Sequence, residues 1–351
     1  MKDFYKGKKV FLTGHTGFKG TWLSLMLEKM GAKVYGYALK PETKFYSCAS
    51  PKIERNYEGY ITDKELLHKA MQETQPDIVI HLASHSTLNR SYEITDYIFR
   101  TNVMGVVNLL EEVRKLKCIG AVLIVTSDKC YKNLESQIPY EEDSILGAQD
   151  PYSTSKACQE LVTECYKNSF FSREKLNIPI ATARASNVLG GGDYNYDRLV
   201  PSLVNSFIHE ETAVIRNGHA IRPWQNVLDV LGGYLTLVKM MYEEENAGSQ
   251  YCAPFNFGPN EDGIITVHEM VEKLLHYFPN GKYKEVKSQG VKETSVLKIC
   301  SNKSKRILKW FPKYTIDETL QMIAEFAARE KGGEKVRNIC LEYINDYLER
   351  G

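Results

Sequence analysis

The apolar run Lys9-Val10-Phe11-Leu12-Thr13 ends directly on Gly14-His15-Thr16-Gly17-Phe18-Lys19-Gly20, and a helical pattern follows over residues 21–30. Few folds accept that order. Glycines between a buried strand and a helix let the backbone turn tightly and approach a pyrophosphate, whose charge is favoured by the amides at the helix N-terminus. The stretch therefore predicts the opening of a dinucleotide-binding unit. Gly14, Thr16, Gly17, Phe18, Lys19 and Gly20 are its candidate cofactor contacts.

Further strands are expected over residues 33–38, 77–81 and 121–126, with a helix over 102–116 between the last two. Repeated strand, helix, strand implies a parallel sheet with helices on both faces. Right-handed crossovers make this an α/β, Rossmann-type doubly wound sheet with ligands at the carboxyl ends of its strands. Beyond about residue 190 the alternation weakens. A glycine loop at 190–193, a helix over 199–209, a capping box at Thr266 and Glu269 and helices over 317–329 and 335–348 follow. Residues 1–190 are expected to form the NAD(P)-binding Rossmann domain with the catalytic residues. Residues 191–351 are expected to form a smaller, mixed C-terminal substrate lobe interleaved with it.

Composition narrows the function by exclusion. A formal net charge of +1 gives no electrostatic reason to expect nucleic acid or an anionic membrane as partner. No apolar run approaches the roughly 20 residues of a membrane span. The start, Met1-Lys2-Asp3-Phe4-Tyr5-Lys6, lacks a secretion signal's apolar core, so a cytoplasmic location is expected. The eight cysteines form no CxxC pair, which argues against a zinc site or a redox dithiol.

Tyr152 and Lys156 stand four residues apart, a spacing that puts both on one face of a helix. A phenol titrates near pH ~10, so a neighbouring ammonium is a direct way to make it a usable base. Ser127 ends the preceding strand. Serine, tyrosine and lysine beside a nicotinamide form the proton-handling set of a carbinol dehydrogenase. The second strand ends Gly36-Tyr37-Ala38-Leu39, with no acid for an NAD ribose and no arginine for a 2′-phosphate, which leaves NAD against NADP open.

With these residues the chain resembles the extended short-chain dehydrogenase/reductase family over nearly its whole length. Within it the chain is most similar to the nucleotide-sugar 4,6-dehydratases that act on CDP-glucose. The stretches that carry the resemblance are Thr13 to Gly20, Thr101 to Gly105, Thr126 to Tyr131, Asp150 to Ser153, Asn187 to Asp193, Asp197 to Leu199, Ile221 to Gln225 and Asn256 to Pro259. Asp128 and Lys129 directly follow Ser127, where simple epimerases of this group lack such an acid–base pair. The resemblance implies NAD as cofactor, NADP being left open, and a homodimer built through helices around 102–116 and 152–168. It adds Ala83 and Asn102 to the cofactor contacts, beside Tyr152 and Lys156. It places Ser84, His85, Ser86, Asn187, Arg198, Arg222 and Glu293 at the nucleotide sugar. It also implies a chemistry: Tyr152 takes the C4 hydroxyl proton while Ser127 holds that oxygen, Lys129 removes the C5 hydrogen and protonated Asp128 assists loss of the C6 hydroxyl. That requires a neutral Lys129, which burial and the nearby Lys156 would favour.

Three departures bear on the ligands. Tyr60 stands where such enzymes have the aspartate that binds adenine, and Asp63 is too far along to replace it. The loop His81-Leu82-Ala83-Ser84-His85-Ser86, with Arg90-Ser91 after it, looks more like dehydratases for dTDP-glucose, and Ser186 replaces a usual glycine. The same reaction on GDP- or UDP-N-acetylglucosamine, and a C4 epimerase or dehydrogenase, are the alternatives.

Overall fold

The computed structural model describes residues 1–86, 89–172, 176–286 and 294–350, without the side chains of Asn89 and Arg90. The Arg90 side chain and Glu293, both singled out from the sequence, therefore lie outside the described residues. The first half supplies six strands: β1 (Lys9–Thr13), β2 (Lys33–Ala38), β3 (Arg55–Glu58), β4 (Ile78–His81), β5 (Ala121–Val125) and β6 (Ile180–Ala185). Six more follow: β7 (Asn187–Leu189), β8 (Thr212–Arg216), β9 (Ile221–Asn226), β10 (Pro254–Phe257), β11 (Ile264–Thr266) and β12 (Lys282–Val286). Seven pair in parallel in the order β10-β6-β5-β4-β1-β2-β3, with the topological switch between β4 and β1. This is the expected doubly wound sheet. Its central strands are buried at every position of β4 and β5, as a sheet covered on both faces requires.

Alternation along the strands sends Leu12, Ile80 and Leu123 to one face and Phe11, Val79 and Val122 to the other. The first face packs under helix α1 (Phe18–Lys29), the second under α2 (Lys64–Thr74) and α3 (Gly105–Val113). Helix α1 begins three residues earlier than the apolar spacing predicts, so its first turn lies inside the glycine loop. The helix expected over 102–116 is α3, preceded by a π-helical turn over Arg100–Met104.

Helix α4 (Pro151–Tyr166) carries the tyrosine and lysine, and α5 (Leu199–Ile208) opens the second half. Helix α6 (Val227–Glu244), which the sequence reading did not pick out, returns to the sheet with β10 and buries Leu228, Leu231, Leu235 and Val238 on its first face. The remaining lobe holds a three-stranded sheet, β11-β9-β7, and the parallel pair β12-β8 around Leu203, Phe207, Trp224, Met270 and Leu274. Thr266 and Glu269 do form a reciprocal capping box ahead of α7 (Val267–Leu275). A second box, Thr315 with Glu318, starts α8 (Ile316–Lys331), and α9 (Val336–Glu349) ends the described chain. No helix among the described residues is long and apolar enough to cross a membrane.

Candidate active site

The glycine loop is built around two close approaches. Gly14 adopts φ +72°, and a Cβ there would lie 2.7 Å from the Ala83 amide nitrogen, so loop and β4 touch backbone to backbone. At Gly20 a Cβ would come within 2.1 Å of the Gly14 carbonyl oxygen, which lets α1 start against the turn. The first amides of a helix have no intrahelical acceptor. Here they face a cavity of 1380 Å³ that the loop shares with the ends of β4, β5 and β7. These features fit the pyrophosphate of a dinucleotide.

At the end of β5, Ser127 caps a 3₁₀ turn over Asp128–Cys130. Its hydroxyl donates to Asp128 Oδ1 at 2.9 Å and accepts from the Lys129 amide at 3.2 Å. Asp128 is 3% exposed, its Oδ2 lacks a hydrogen-bond partner among the described residues, and burial pushes its carboxyl above the usual range despite Lys129, Ser127 and Arg222. Asp128 thus has the burial that its role asks for, whereas Lys129, for which burial is also expected from the sequence, is only half-buried in the cavity wall.

Helix α4 starts at Pro151, with Asp150 accepting the Ser153 amide at 2.8 Å. It presents Tyr152 and Lys156 to the same cavity, the ammonium 5.9 Å from the phenol ring centre. Burial pushes Tyr152 up to about 12, outweighing the hydrogen bond from Ser127. Lys156 is the group that is strongly lowered, to about 7, by burial and then by Lys19. The expectation that Lys156 lowers the phenol is thus reversed in weight: desolvation dominates both groups and brings the lysine, not the tyrosine, near neutrality.

Lys156 Nζ donates to Gln159 Oε1 at 2.9 Å, and Gln159 Nε2 donates to the Asn102 carbonyl oxygen at 2.8 Å. Asn102 is fully buried. Its Oδ1 accepts from Ser84 Oγ at 3.0 Å and the His85 amide at 2.8 Å, while its Nδ2 donates to Ser155 Oγ at 2.8 Å. Asn102 and Gln159 thus tie the loop after β4 to the lysine. The sequence reading missed Gln159, whose one signal is that it lies one helical turn beyond Lys156.

Ala83, Ser84, His85 and Ser86 line the cavity, as do Asn187, Arg198 and Arg222 from the other side. Arg198 is held by Asp193 at 2.8 Å and donates to Ser86 Oγ at 3.1 Å, joining the two walls. Arg222 donates to the Ile221 carbonyl at 2.9 Å and also to that of Thr294. Of the candidate residues with described side chains, Asn102 alone stands behind the cavity wall.

Below the loop, His81 is 1% exposed, its Nδ1 lies 2.7 Å from Thr13 Oγ1, and burial lowers it to about 3. An unfolded histidine titrates near ~6.5, so below that pH the unfolded chain binds a proton that the folded chain refuses until about 3. The stability His81 contributes is full above pH ~6.5 and is lost as pH falls towards about 3. The variant His81→Asn is expected to lose less melting temperature than the parent between pH ~7.5 and ~5. Equal slopes in thermal melts would contradict this.

The NAD dependent epimerase/dehydratase family matches residues 10–251. A CDP-glucose 4,6-dehydratase of Salmonella typhimurium is 39% identical over 99% of this chain and 98% of its own length. Among solved structures, an epimerase of Methanothermobacter thermautotrophicus superposes with a TM-score of 0.82 at 25% identity, covering 96% of this chain and 97% of its own. A dTDP-glucose 4,6-dehydratase of Bacillus anthracis, solved with NAD, gives 0.78 at 23% identity over 95% of this chain and 100% of its own. The match covers the glycine loop, the Ser127 turn and α4 alike, and the chain belongs to the NAD dependent epimerase/dehydratase family.

Proposed function

We propose that this protein is a nucleotide-sugar 4,6-dehydratase that converts CDP-glucose to its 4-keto-6-deoxy product. The observation that carries this is the 39% identity to a CDP-glucose 4,6-dehydratase along 99% of the chain. The site supports it, because Asp128 and Lys129 stand in the same cavity as Ser127, Tyr152 and Lys156.

Bound NAD would supply the hydride chemistry, acceptance from C4 of the sugar and return at C6. Gly14, Gly17 and Gly20 and the first-turn amides of α1 would hold its pyrophosphate. Ser127 hydrogen-bonds the C4 oxygen and Tyr152 removes its proton. As it does so, Tyr152 passes its own phenol proton on towards Lys156, which burial lowers to about 7 and so leaves partly neutral near that pH. The resulting 4-ketone acidifies C5, from which Lys129 takes the hydrogen and to which a proton returns when the hydride reaches C6. Asp128, whose carboxyl burial pushes above the usual range, delivers a proton to the departing C6 hydroxyl. Arg198 and Arg222, with Asn187, bind the diphosphate, for which the planar guanidinium is suited.

The lobe built on β7, β9 and β11 thereby carries the nucleotide and the Rossmann sheet carries cofactor and chemistry. A homodimer through the segments around 102–116 and 152–168 is part of the same reading. Met104 and Leu161 support it, being 44% and 55% exposed on those segments. A cytoplasmic location suits an enzyme that uses NAD and a nucleotide sugar.

The test is incubation with NAD and a panel of CDP-, dTDP-, UDP- and GDP-sugars, N-acetylglucosamine forms included, read by product mass. Loss of one water from CDP-glucose is the expected result. Loss of water from an N-acetylated donor alone would move the substrate. Inversion at C4 without mass change, or accumulation of reduced cofactor, would overturn dehydration.

A further inference from the structure

The reacting residues stand at the end of β5, on one side of the glycine loop that follows β1. A dinucleotide whose pyrophosphate lies on that loop therefore extends its adenosine half the other way, over the carboxyl ends of β2 and β3. There the cavity is lined by Leu39, Lys40 and Tyr60. Tyr60 is 55% exposed, on a turn that is firmly anchored. Its carbonyl oxygen accepts from Tyr37 Oη at 2.8 Å and from the Asp63 amide at 2.9 Å. The preceding Gly59 packs so closely that a Cβ would lie 2.4 Å from Leu66 Cδ2. The backbone under the ring is thus fixed while the ring itself stands open to the cavity.

The carboxylates nearest Tyr60 in the chain, Asp63 and Glu58, are engaged elsewhere, while Glu42 lines the cavity beside Lys40. Asp63 Oδ1 accepts the Leu66 amide at 3.0 Å as the N-cap of α2, and Glu58 lies 3.7 Å from Lys40. Adenine offers a π face, which a phenol ring can cover, and an edge whose amino group needs an acceptor. The residues at this end suit the face.

We propose that Tyr60 binds the cofactor's adenine by stacking, so that the site reads the purine face and not its 6-amino group. The inference rests on the NAD reading above and concerns its adenosine end alone. A carboxylate acceptor would reject a purine carrying oxygen at that position, because a site built around a hydrogen bond penalises the partner that cannot make it. A stacking ring tolerates it, since every base has a face.

The experiment is calorimetric titration of the full chain with NAD and with nicotinamide hypoxanthine dinucleotide, which differ only on the purine edge, oxygen replacing the 6-amino group and N1 gaining a hydrogen. The parent is expected to bind the two within about threefold of each other. Tyr60→Phe should retain both affinities, Tyr60→Ser should weaken both about tenfold with their ratio unchanged, and Tyr60→Asp should open a preference for NAD of about tenfold. Because Tyr60 is exposed, unchanged melting temperatures check that these variants fold. A parent preference for NAD of about tenfold or more, or no loss in Tyr60→Ser, would overturn the proposal. Failure of the parent to bind either dinucleotide would overturn it together with the cofactor reading. Binding of both with no dehydration of any sugar would leave it standing and defeat the substrate reading alone.

Discussion

Lys129→Met is expected to abolish water loss from the sugar while leaving oxidation at C4 intact. A positioned general base contributes roughly 10²- to 10⁴-fold, so product formation should fall by about 10³-fold. The side chain is half-buried in the cavity wall, and methionine matches its length without the amine, so the fold should persist. Two readouts separate the roles. Reduced-nicotinamide absorbance should still rise on adding substrate, because Tyr152, Ser127 and Lys156 are untouched. Incorporation of solvent deuterium at C5, expected of the parent, should disappear from the variant. Normal product from Lys129→Met would remove the lysine from the mechanism and leave its place beside Asp128 without a chemical role.

The largest expected effect on stability lies one layer behind the site. Arg184, on β6, and Glu160, on α4, are each 2% exposed in their side chains and pair at 2.9 Å. The carboxylate also accepts from Thr126 and, at 2.6 Å, from Thr182, while Arg184 donates to Tyr131 Oη at 2.9 Å and to the Glu142 carbonyl at 2.8 Å. Replacing Arg184 by methionine leaves Glu160 charged and uncompensated among buried groups, a change that costs about 3–5 kcal/mol. The double variant Arg184→Met with Glu160→Gln should recover part of that loss, because it removes the stranded charge. Denaturant unfolding of parent, single and double variants measures both. A single variant within about 1 kcal/mol of the parent would show the pair to be dispensable. The same variant should also reduce activity, since Thr126 immediately precedes Ser127.

That pair illustrates where sequence reasoning stops. The run Lys9 to Gly20 was readable because strand, turn and helix are encoded within twelve consecutive residues and each demands a different residue type. Ser127, Tyr152 and Lys156 were readable because one helix and one strand end hold them. Strand β6 was not, since Ile180-Ala181-Thr182-Ala183-Arg184-Ala185 contains an arginine whose burial becomes tolerable only through a partner on another element. Strand β3, Arg55-Asn56-Tyr57-Glu58, is an edge strand with one buried residue in four and carries almost no apolar pattern. Helix α6 is apolar on most sides because it lies between the sheet and the C-terminal helices, and so lacks the one-sided stripe that marks a surface helix. The balance between Tyr152 and Lys156 was misjudged for a related reason. The attraction between neighbours is visible in their spacing, whereas desolvation depends on everything that closes around them.

Strand β10 pairs with β6 although the whole of β7, β8 and β9 intervenes between them in the chain. During synthesis the polypeptide leaves the ribosome with β6 as an open edge, and the strand that seals it follows some seventy residues later, a delay of several seconds at roughly 5–20 residues per second. An unsealed β edge is a template for pairing with other chains. Cutting the gene at the apparent midpoint would make that interval permanent, yielding an amino-terminal fragment prone to aggregate. Engineers seeking to exchange the nucleotide-binding portion between relatives therefore need to carry β11 and β12 together with β7, β8 and β9, and to keep α6 and residues 254–257 with the recipient scaffold.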